Sequence, residues 1–265
     1  MQGAGVVIRR RLYAEIRTSR LAVWSSRLAI FALPVLLLAI LLHRAGAIEY
    51  HAALALLIAV LLIALAALML AMAALIVIWN DGLKGLGSAM LAGVLAAAIL
   101  AYPAFEILRG AALPAINDIS TDTADPPRFH SIAVLRPRSA NPVRYAGGEA
   151  IDLQKKFYPA VRSLEFDAEA DEIFGVILAL VQRSGWQLVD NIGPAPNRDG
   201  VIEAVARTAI MGFREDISIR VRKAGNIVRV DLRSASRYGQ RDFGTNARRI
   251  ESFLALLADA RRRPR

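Results

Sequence analysis

The residues of this chain that could do chemistry are concentrated in one C-terminal stretch, residues 228–249, with the sequence VRVDLRSASRYGQRDFGTNARR. Arginine dominates it, and the planar guanidinium group pairs with a carboxylate or phosphate through two parallel hydrogen bonds. With the preceding strand, the stretch supplies a candidate site for an anionic ligand or a partner protein. The candidate binding residues are Arg220, Arg222, Arg229, Asp231, Arg233, Arg237, Asp242, Asn246 and Arg249.

Strand periodicity assigns most of these side chains to one face of a sheet. Residues 216–223 and 227–236 alternate between apolar and polar side chains, as half-buried strands do. The apolar face should form the core, and the outer face carries arginines with a few acids, joined by Glu203 and Arg207. Two interpretations of the outer face stay open. One is a solvated surface with weak cross-strand ion pairs, and the other is an anion or partner site.

Other residues of the stretch have structural interpretations. Ser234 and Ser236 fall on the core side, where we expect them to bond backbone or turn groups. Asp242 and Asn246 have the residue types of a turn followed by the N-cap of the last helix.

Signatures of enzymes and metal sites are missing. The chain has no cysteine, and His130 is the only histidine after residue 116, which excludes thiolate and two-histidine metal sites there. Asp118, Asp122 and Asp125 lack the spacing of a calcium loop and favour turn chemistry. We therefore predict no metal and no cofactor, although paired carboxylates distant in the sequence would escape notice.

The elements that position these residues follow a simple order. We predict strands over residues 161–166, 186–190, 201–209, 216–223 and 227–236, and helices over 167–183 and 246–261. This order predicts an α+β two-layer sandwich, an antiparallel sheet with helices on one face. A helix-grip-like arrangement, with the last helix across a curved sheet, is one realisation of it.

Three apolar runs precede this domain, at residues 21–42, 52–79 and 87–108. Each reaches the roughly 20 residues that a helix needs to cross a bilayer, so the lipid bilayer is the first predicted partner. The predicted organisation is a basic cytoplasmic leader (1–20), a membrane domain (21–108), an extended Pro/Asp-rich arm (109–141) and an α+β domain (142–265).

Arginine placement predicts the orientation of the chain. Arg9, Arg10, Arg11, Arg17 and Arg20 precede the first run, which puts the N-terminus in the cytoplasm. Three crossings then put the C-terminal domain outside, which in a Gram-negative bacterium is the periplasmic side of the inner membrane. Ala45-Gly46-Ala47 resembles a signal-peptidase site, but the long basic leader argues against cleavage.

The net charge of +10 does not indicate a nucleic-acid partner. Residues 117–265 hold twenty-four basic and nineteen acidic side chains, so most of that charge is offset locally. A nucleic-acid binder concentrates basic residues on one face or tail.

Several motifs of the C-terminal part resemble a known bacterial family, the domain of unknown function 1499. They are NDISTD (117–122), DPPRF (125–129), Tyr158-Pro159, Gly185-Trp186, IEA (202–204), GFRED (212–216), VDLRSASR (230–237) and GTNARRI (244–250). The resemblance covers nearly all of residues 113–257. It implies an envelope location and carries no assigned activity or catalytic residues.

These observations leave three functional hypotheses. The first is a non-enzymatic envelope protein, anchored in the inner membrane, that binds a partner protein or anionic ligand through the arginine-rich face. The second is a carrier of lipid or another hydrophobic ligand, held between the sheet and the last helix. The third is a hydrolase built on Asp122, His130 or Asp242.

Overall fold

The computed structural model describes residues 17–262 of the chain. Arg9, Arg10 and Arg11 of the predicted leader and the last three residues of the basic tail lie outside the described residues. The helices are α1 (Arg20–Arg44), α2 (Tyr50–Asp81), α3 (Leu86–Ala111), α4 (Ser131–Leu135), α5 (Glu149–Phe157), α6 (Ala170–Arg183) and α7 (Thr245–Arg262). The strands are β1 (Asp118–Ser120), β2 (Leu164–Phe166), β3 (Gln187–Ile192), β4 (Gly200–Arg207), β5 (Arg214–Ala224) and β6 (Ile227–Ser236).

These elements form two compact units, which we call the helical unit and the sheet unit. The helical unit comprises the described residues up to Ala39 together with Leu54–Pro103. The sheet unit comprises Ile40–Ala53 and the residues from Ala104 onward. The connection between α1 and α2 therefore belongs to the sheet unit.

The three predicted apolar helices are confirmed, and each is long and apolar enough to cross a membrane. Small side chains line their contacts. Ala29, Ala71 and Ala92, one from each helix, are buried in the same cluster. Because the alanine side chain is small, the helix backbones can approach each other closely. Close packing at small residues is typical of membrane helices.

The sheet unit is built on a six-stranded antiparallel sheet in the order β1-β6-β5-β4-β3. β1 and β2 both pair with β6, opposite its two ends, with Asp118 facing Ala235 and Leu164 facing Val230. β1 and β2 thus cover the edge of the sheet that β6 would otherwise leave unpaired. This protects the sheet, because an unpaired edge strand can pair with other chains.

One face of the sheet carries the main core, as the alternation predicts. The apolar residues of β5 and β6 are buried there with side chains of α6 and α7, among them Ile177, Ile250, Phe253 and Leu257. Trp186 stacks on Phe253 with ring centroids 4.8 Å apart. The predicted α+β class, with an antiparallel sheet and helices, is confirmed.

The opposite face is covered by residues 117–143. They include most of the predicted arm (109–141), whose first residues end α3 instead, and from here on the name arm means residues 117–143. The arm is not wholly extended, because it contains β1 and α4. Phe129 and Ile132 of the arm pack against Val205 and Ala235 of the sheet in a second, smaller core. Of the two open interpretations of the outer face, the solvated surface is therefore wrong where the arm lies on it.

Candidate functional site

Four of the candidate residues meet around one buried carboxylate, and we call them the Asp231 cluster: Arg220, Arg222, Arg229 and Asp231. Asp231 Oδ2 accepts hydrogen bonds from Arg220 Nη2 at 2.8 Å and from Arg222 Nη2 at 3.0 Å. Asp231 Oδ1 accepts from Arg229 Nε at 2.9 Å and from Ser163 Oγ at 2.6 Å. Antiparallel pairing of β5 with β6 explains this geometry, because it places Arg220 opposite Asp231 and Arg222 opposite Arg229.

Two carboxylates of the arm complete the charge balance of the cluster. Asp122 Oδ2 accepts from Arg229 Nη2 at 3.0 Å, and Asp125 Oδ2 accepts from Arg220 Nη1 at 2.9 Å. Asp122 Oδ1 also accepts from the amides of Ala124 and Asp125, which confirms the predicted turn chemistry. Three arginines thus face three aspartates, so the cluster holds no large excess charge.

Solvent reaches the two kinds of charge unequally. The Asp231 side chain is fully buried, whereas the side chains of Arg222 and Arg229 are 30% and 34% exposed. Burial alone would raise the pKa of Asp231, but the hydrogen bonds from Ser163, Arg220 and Arg229 outweigh burial and lower its pKa. A buried carboxylate with a lowered pKa thus orients two arginine side chains that remain about one-third exposed.

The next two candidates, Arg233 and Arg237, are buried in ion pairs of their own. Arg233 binds Asp118 through Nε at 2.9 Å and Nη2 at 2.6 Å, and its guanidinium lies over the ring of Phe129 at 4.5 Å. Arg237 binds Asp216 through Nε at 2.8 Å. The Arg233–Asp118 pair joins the arm to β6, and Asp216 also binds Arg136 of the arm at 2.6 Å. All these side chains are buried, so the two pairs are closed to a ligand.

The remaining candidates, Asp242, Asn246 and Arg249, lie on the opposite, core side of the sheet. Asp242 accepts from the amides of Gly244 and Asn246, which confirms the predicted turn and N-cap chemistry. Burial raises the pKa of Asp242, an effect that these amides partly offset. Asn246 also bonds Ser234 Oγ at 2.7 Å and Ser236 Oγ at 2.9 Å. These residues fix the start of α7 and do not join the Asp231 cluster.

The sequence placed Glu203 on the outer face but did not predict its role, and it gave no role to Glu215 or Ser163. Glu203 accepts from the amides of His130 and Ile132 at the start of α4, and Glu215 pairs with Arg249. A single acid in an otherwise apolar strand, as in VIEAVA (201–206), is a signal that could have indicated the burial of Glu203. No comparable local signal exists for Ser163, whose partner Asp231 is 68 positions away.

The arrangement offers hydrogen-bond donors and charge. Among residues 17–262, no three histidine, cysteine or acidic side chains are grouped so that they could hold a metal ion. Asp122 is bonded to Arg229 on the outer face, and Asp242 caps α7 on the other side. Asp122 and Asp242, two of the three residues of the hydrolase hypothesis, therefore do not lie in one site.

Comparison with known proteins identifies a family. The family described as "Protein of unknown function (DUF1499)" matches residues 118–257. No curated protein matches the chain. The crystal structure of CalU16 from Micromonospora echinospora is similar at 14% identity over 36% of this chain and 72% of CalU16, with a TM-score of 0.24. So low a TM-score carries no argument about fold or function.

Proposed function

We propose a function for this chain, which belongs to the DUF1499 family of proteins of unknown function: it is a membrane-anchored binding protein. Its sheet unit recognises a carboxylate or phosphate group of a partner through the outer edges of Arg222 and Arg229. It is held in the bacterial inner membrane by α1, α2 and α3, with the N-terminus in the cytoplasm and the sheet unit in the periplasm.

The observation that carries the proposal is the contrast within the Asp231 cluster. Its buried carboxylate fixes two guanidinium groups that remain about one-third exposed, at 30% for Arg222 and 34% for Arg229. Arginine side chains usually lose conformational entropy when they bind a ligand. Since Asp231 has already ordered these two, a bidentate acid meets a preorganised pair of donors.

The proposed topology is supported by the fact that the α1–α2 connection belongs to the sheet unit. A chain that crosses a membrane three times has its first connection and its C-terminal domain on the same side. The last turn of α1, next to this connection, is bonded to the rest of the sheet unit: His43 Nδ1 forms a hydrogen bond with the carbonyl of Met211 at 2.7 Å. The same contacts would be impossible if an odd number of crossings separated residue 45 from the domain.

The position of the Asp231 cluster along β5 also supports a role in partner binding. Arg214 begins β5 close to the α1–α2 connection, and Arg222 lies eight residues further on. At about 3.4 Å per residue, Arg222 is roughly 27 Å along the strand from Arg214. The exposed arginines are thus far from the anchored end of the sheet and open to a partner.

The carrier hypothesis receives no support at the place where it was predicted. Ile250, Phe253 and Leu257 of α7 are at most 1% exposed and pack directly on the buried face of the sheet. Side chains fill this space, so a hydrophobic ligand would have to displace the core.

A titration with a labelled polyglutamate peptide tests the binding site. The full chain is placed in nanodiscs, and wild type is compared with Arg222→Gln/Arg229→Gln. The control is Arg183→Gln, an exposed arginine at the end of α6 on the other side of the sheet. We expect the double variant to lose binding several-fold and the control to keep it. Equal binding by all three proteins would reject the site.

Fusions to the C-terminus test the orientation separately. An alkaline phosphatase fusion should be active and a fluorescent-protein fusion dark, because the sheet unit is proposed to be periplasmic. The reverse pattern would refute the orientation without bearing on the binding site.

A further inference from the structure

A second group of arginines lies at the other end of the outer face, where the β4–β5 hairpin turns. Arg207 of β4 is directly opposite Arg214 of β5 in the register. Both side chains are exposed. Like charges directly opposite each other destabilise a sheet, and among the described residues no carboxylate pairs with either one. Their neighbour across the next strand, Arg237, is neutralised by Asp216.

A third arginine approaches the same hairpin from the end of α1. Arg44 Nη1 donates to the carbonyls of Ala209 and Ile210 in the hairpin turn, at 2.9 and 3.2 Å. Arg207 Nη1 donates to the carbonyl of Arg44 at 2.8 Å. Gly212 permits this approach, because a Cβ there would lie 2.9 Å from Arg44 Cγ. These bonds leave Arg44 Nε and Nη2 free, and the Arg214 guanidinium has no hydrogen bond among the described residues.

The chain itself indicates what this arginine group faces. Arg44 is the last residue of a helix long and apolar enough to cross a membrane. The inference rests on the proposed topology at this one point: if α1 crosses the bilayer, the turn bonded to Arg44 lies near the bilayer surface. Ile210 at the tip of that turn is 38% exposed. An apolar tip flanked by basic side chains is the composition of segments that bind in the interface of a bilayer.

A pocket of about 240 Å³ adjoins Arg214 and is open at the same end of the sheet unit. Tyr50 and Tyr238, stacked with centroids 4.1 Å apart, and Phe213 provide its aromatic wall. Glu49 also lines it. Tyrosines at the end of an apolar helix favour the head-group level of a membrane.

We propose that Arg44, Arg207 and Arg214, which we call the hairpin cluster, bind the phosphate of an anionic phospholipid head group at the membrane surface. The phosphate neutralises the two arginines that face each other across the hairpin and uses the donors that no residue among 17–262 occupies. The sheet unit is thereby fastened to the bilayer at a second point besides its covalent connection to the helices. This site is independent of the Asp231 cluster at the far end of β5.

Native mass spectrometry of the full chain tests the proposal. The protein is released from nanodiscs that mix phosphatidylglycerol with the phosphate-free lipid monogalactosyl diacylglycerol. We expect wild type and the control Arg183→Gln to retain phosphatidylglycerol, and Arg207→Gln/Arg214→Gln to retain several-fold less. The double variant loses a like-charge repulsion and also the hydrogen bond from Arg207 Nη1 to the carbonyl of Arg44, so its unfolding temperature should change little.

Each outcome of this experiment either supports or overturns the proposed lipid site. Equal retention of phosphatidylglycerol by the double variant and wild type would overturn the proposal. A folded double variant that loses the lipid supports it, and near-ultraviolet circular dichroism checks the folding. If the double variant unfolds, Arg207→Lys/Arg214→Lys takes its place, since it keeps both charges and should retain intermediate lipid. If excess inorganic phosphate displaces the lipid completely and binds as tightly, the phosphate site stands but the lipid assignment is overturned.

Discussion

Asp231 and Arg220 occupy opposite positions of neighbouring strands, and one carboxylate oxygen of Asp231 accepts from both Nε and Nη2 of Arg220, at 3.1 and 2.8 Å. The other oxygen is held by Ser163 and Arg229. Every acceptor position of this buried carboxylate is therefore used within the fold. Asp231 serves as the internal support of the cluster, and the proposed ligand meets the arginines from outside.

Removal of the supporting charge should destabilise the domain strongly. In Asp231→Asn the three arginines keep their positive charges but lose the buried carboxylate that they share. Loss of one partner of a buried ion pair costs about 3–5 kcal/mol of unfolding free energy. Thermal unfolding followed by near-ultraviolet circular dichroism measures the change. A fall no larger than that of Ser163→Ala, which removes a single hydrogen bond, would contradict this role.

Acid should weaken the same interaction. The folded pKa of Asp231 lies below that of an unfolded aspartate, about 3.9, so the unfolded chain takes up this proton at the higher pH. The stabilisation is therefore complete above pH ~4 and is lost as the pH falls through the folded pKa. Burial raises the pKa of Asp242, which acts in the opposite sense, so the informative quantity is the difference between wild type and Asp231→Asn. This difference in melting temperature should shrink on acidification, and a constant difference would count against the assignment.

The arm aspartate Asp125 should compete with the ligand. Its side chain is 53% exposed and accepts from Nη1 of Arg220 and Arg222, at 2.9 and 3.4 Å. Asp125→Asn should therefore bind polyglutamate more tightly than wild type, since it frees donors of the cluster. An exposed ion pair contributes at most about 1 kcal/mol, so stability should change little. Asp152→Asn, an exposed acid on α5, is the matched control. Unchanged or weaker binding by Asp125→Asn relative to this control would show that the ligand does not use these donors.

Asn246 should matter for stability but not for binding. Its side chain joins the start of α7 to Ser234, to Ser236 and to the carbonyl of Asn117 at 3.0 Å. Asn246→Ala leaves buried polar groups unpaired, which costs about 1–3 kcal/mol. Exposed Asn197 provides the control Asn197→Ala, which should melt like wild type. If Asn246→Ala abolished polyglutamate binding without lowering the melting temperature, Asn246 would belong to the binding site after all.

Much of the fold could be predicted because its signals are local. The alternation of Ile217, Ile219 and Val221 predicts which face of β5 is buried, whatever the position of β5 in the sheet. The structure confirms this face, because α6 and α7 pack on it. α5 was missed because its core contacts are few, with Ala150 and Leu153 only partly buried. β1 was missed because three residues carry no periodicity, and its strand exists through pairing with β6, more than 100 positions away.

The candidate site was predicted in part, for the same physical reason. The short hairpin between β5 and β6 fixes the pairing of the two strands, and this pairing brings Arg220, Arg222, Arg229 and Asp231 together. The arm could not be predicted from local sequence patterns, because its residues contact the outer face from about 100 positions earlier in the chain. The arm buries Arg233 and Arg237 and leaves the edges of Arg222 and Arg229 open. It thus selects which arginines of a uniform stripe can meet a ligand.

The most direct test of anion binding by Arg222 and Arg229 is to locate a bound anion. Crystals of the full chain soaked in tungstate would show the ion by its anomalous scattering. We expect a peak within hydrogen-bonding distance of both Arg222 and Arg229, and its loss in Arg222→Gln/Arg229→Gln. The absence of a peak between Arg222 and Arg229 would contradict the proposed binding site, whether or not the ion binds at the hairpin cluster.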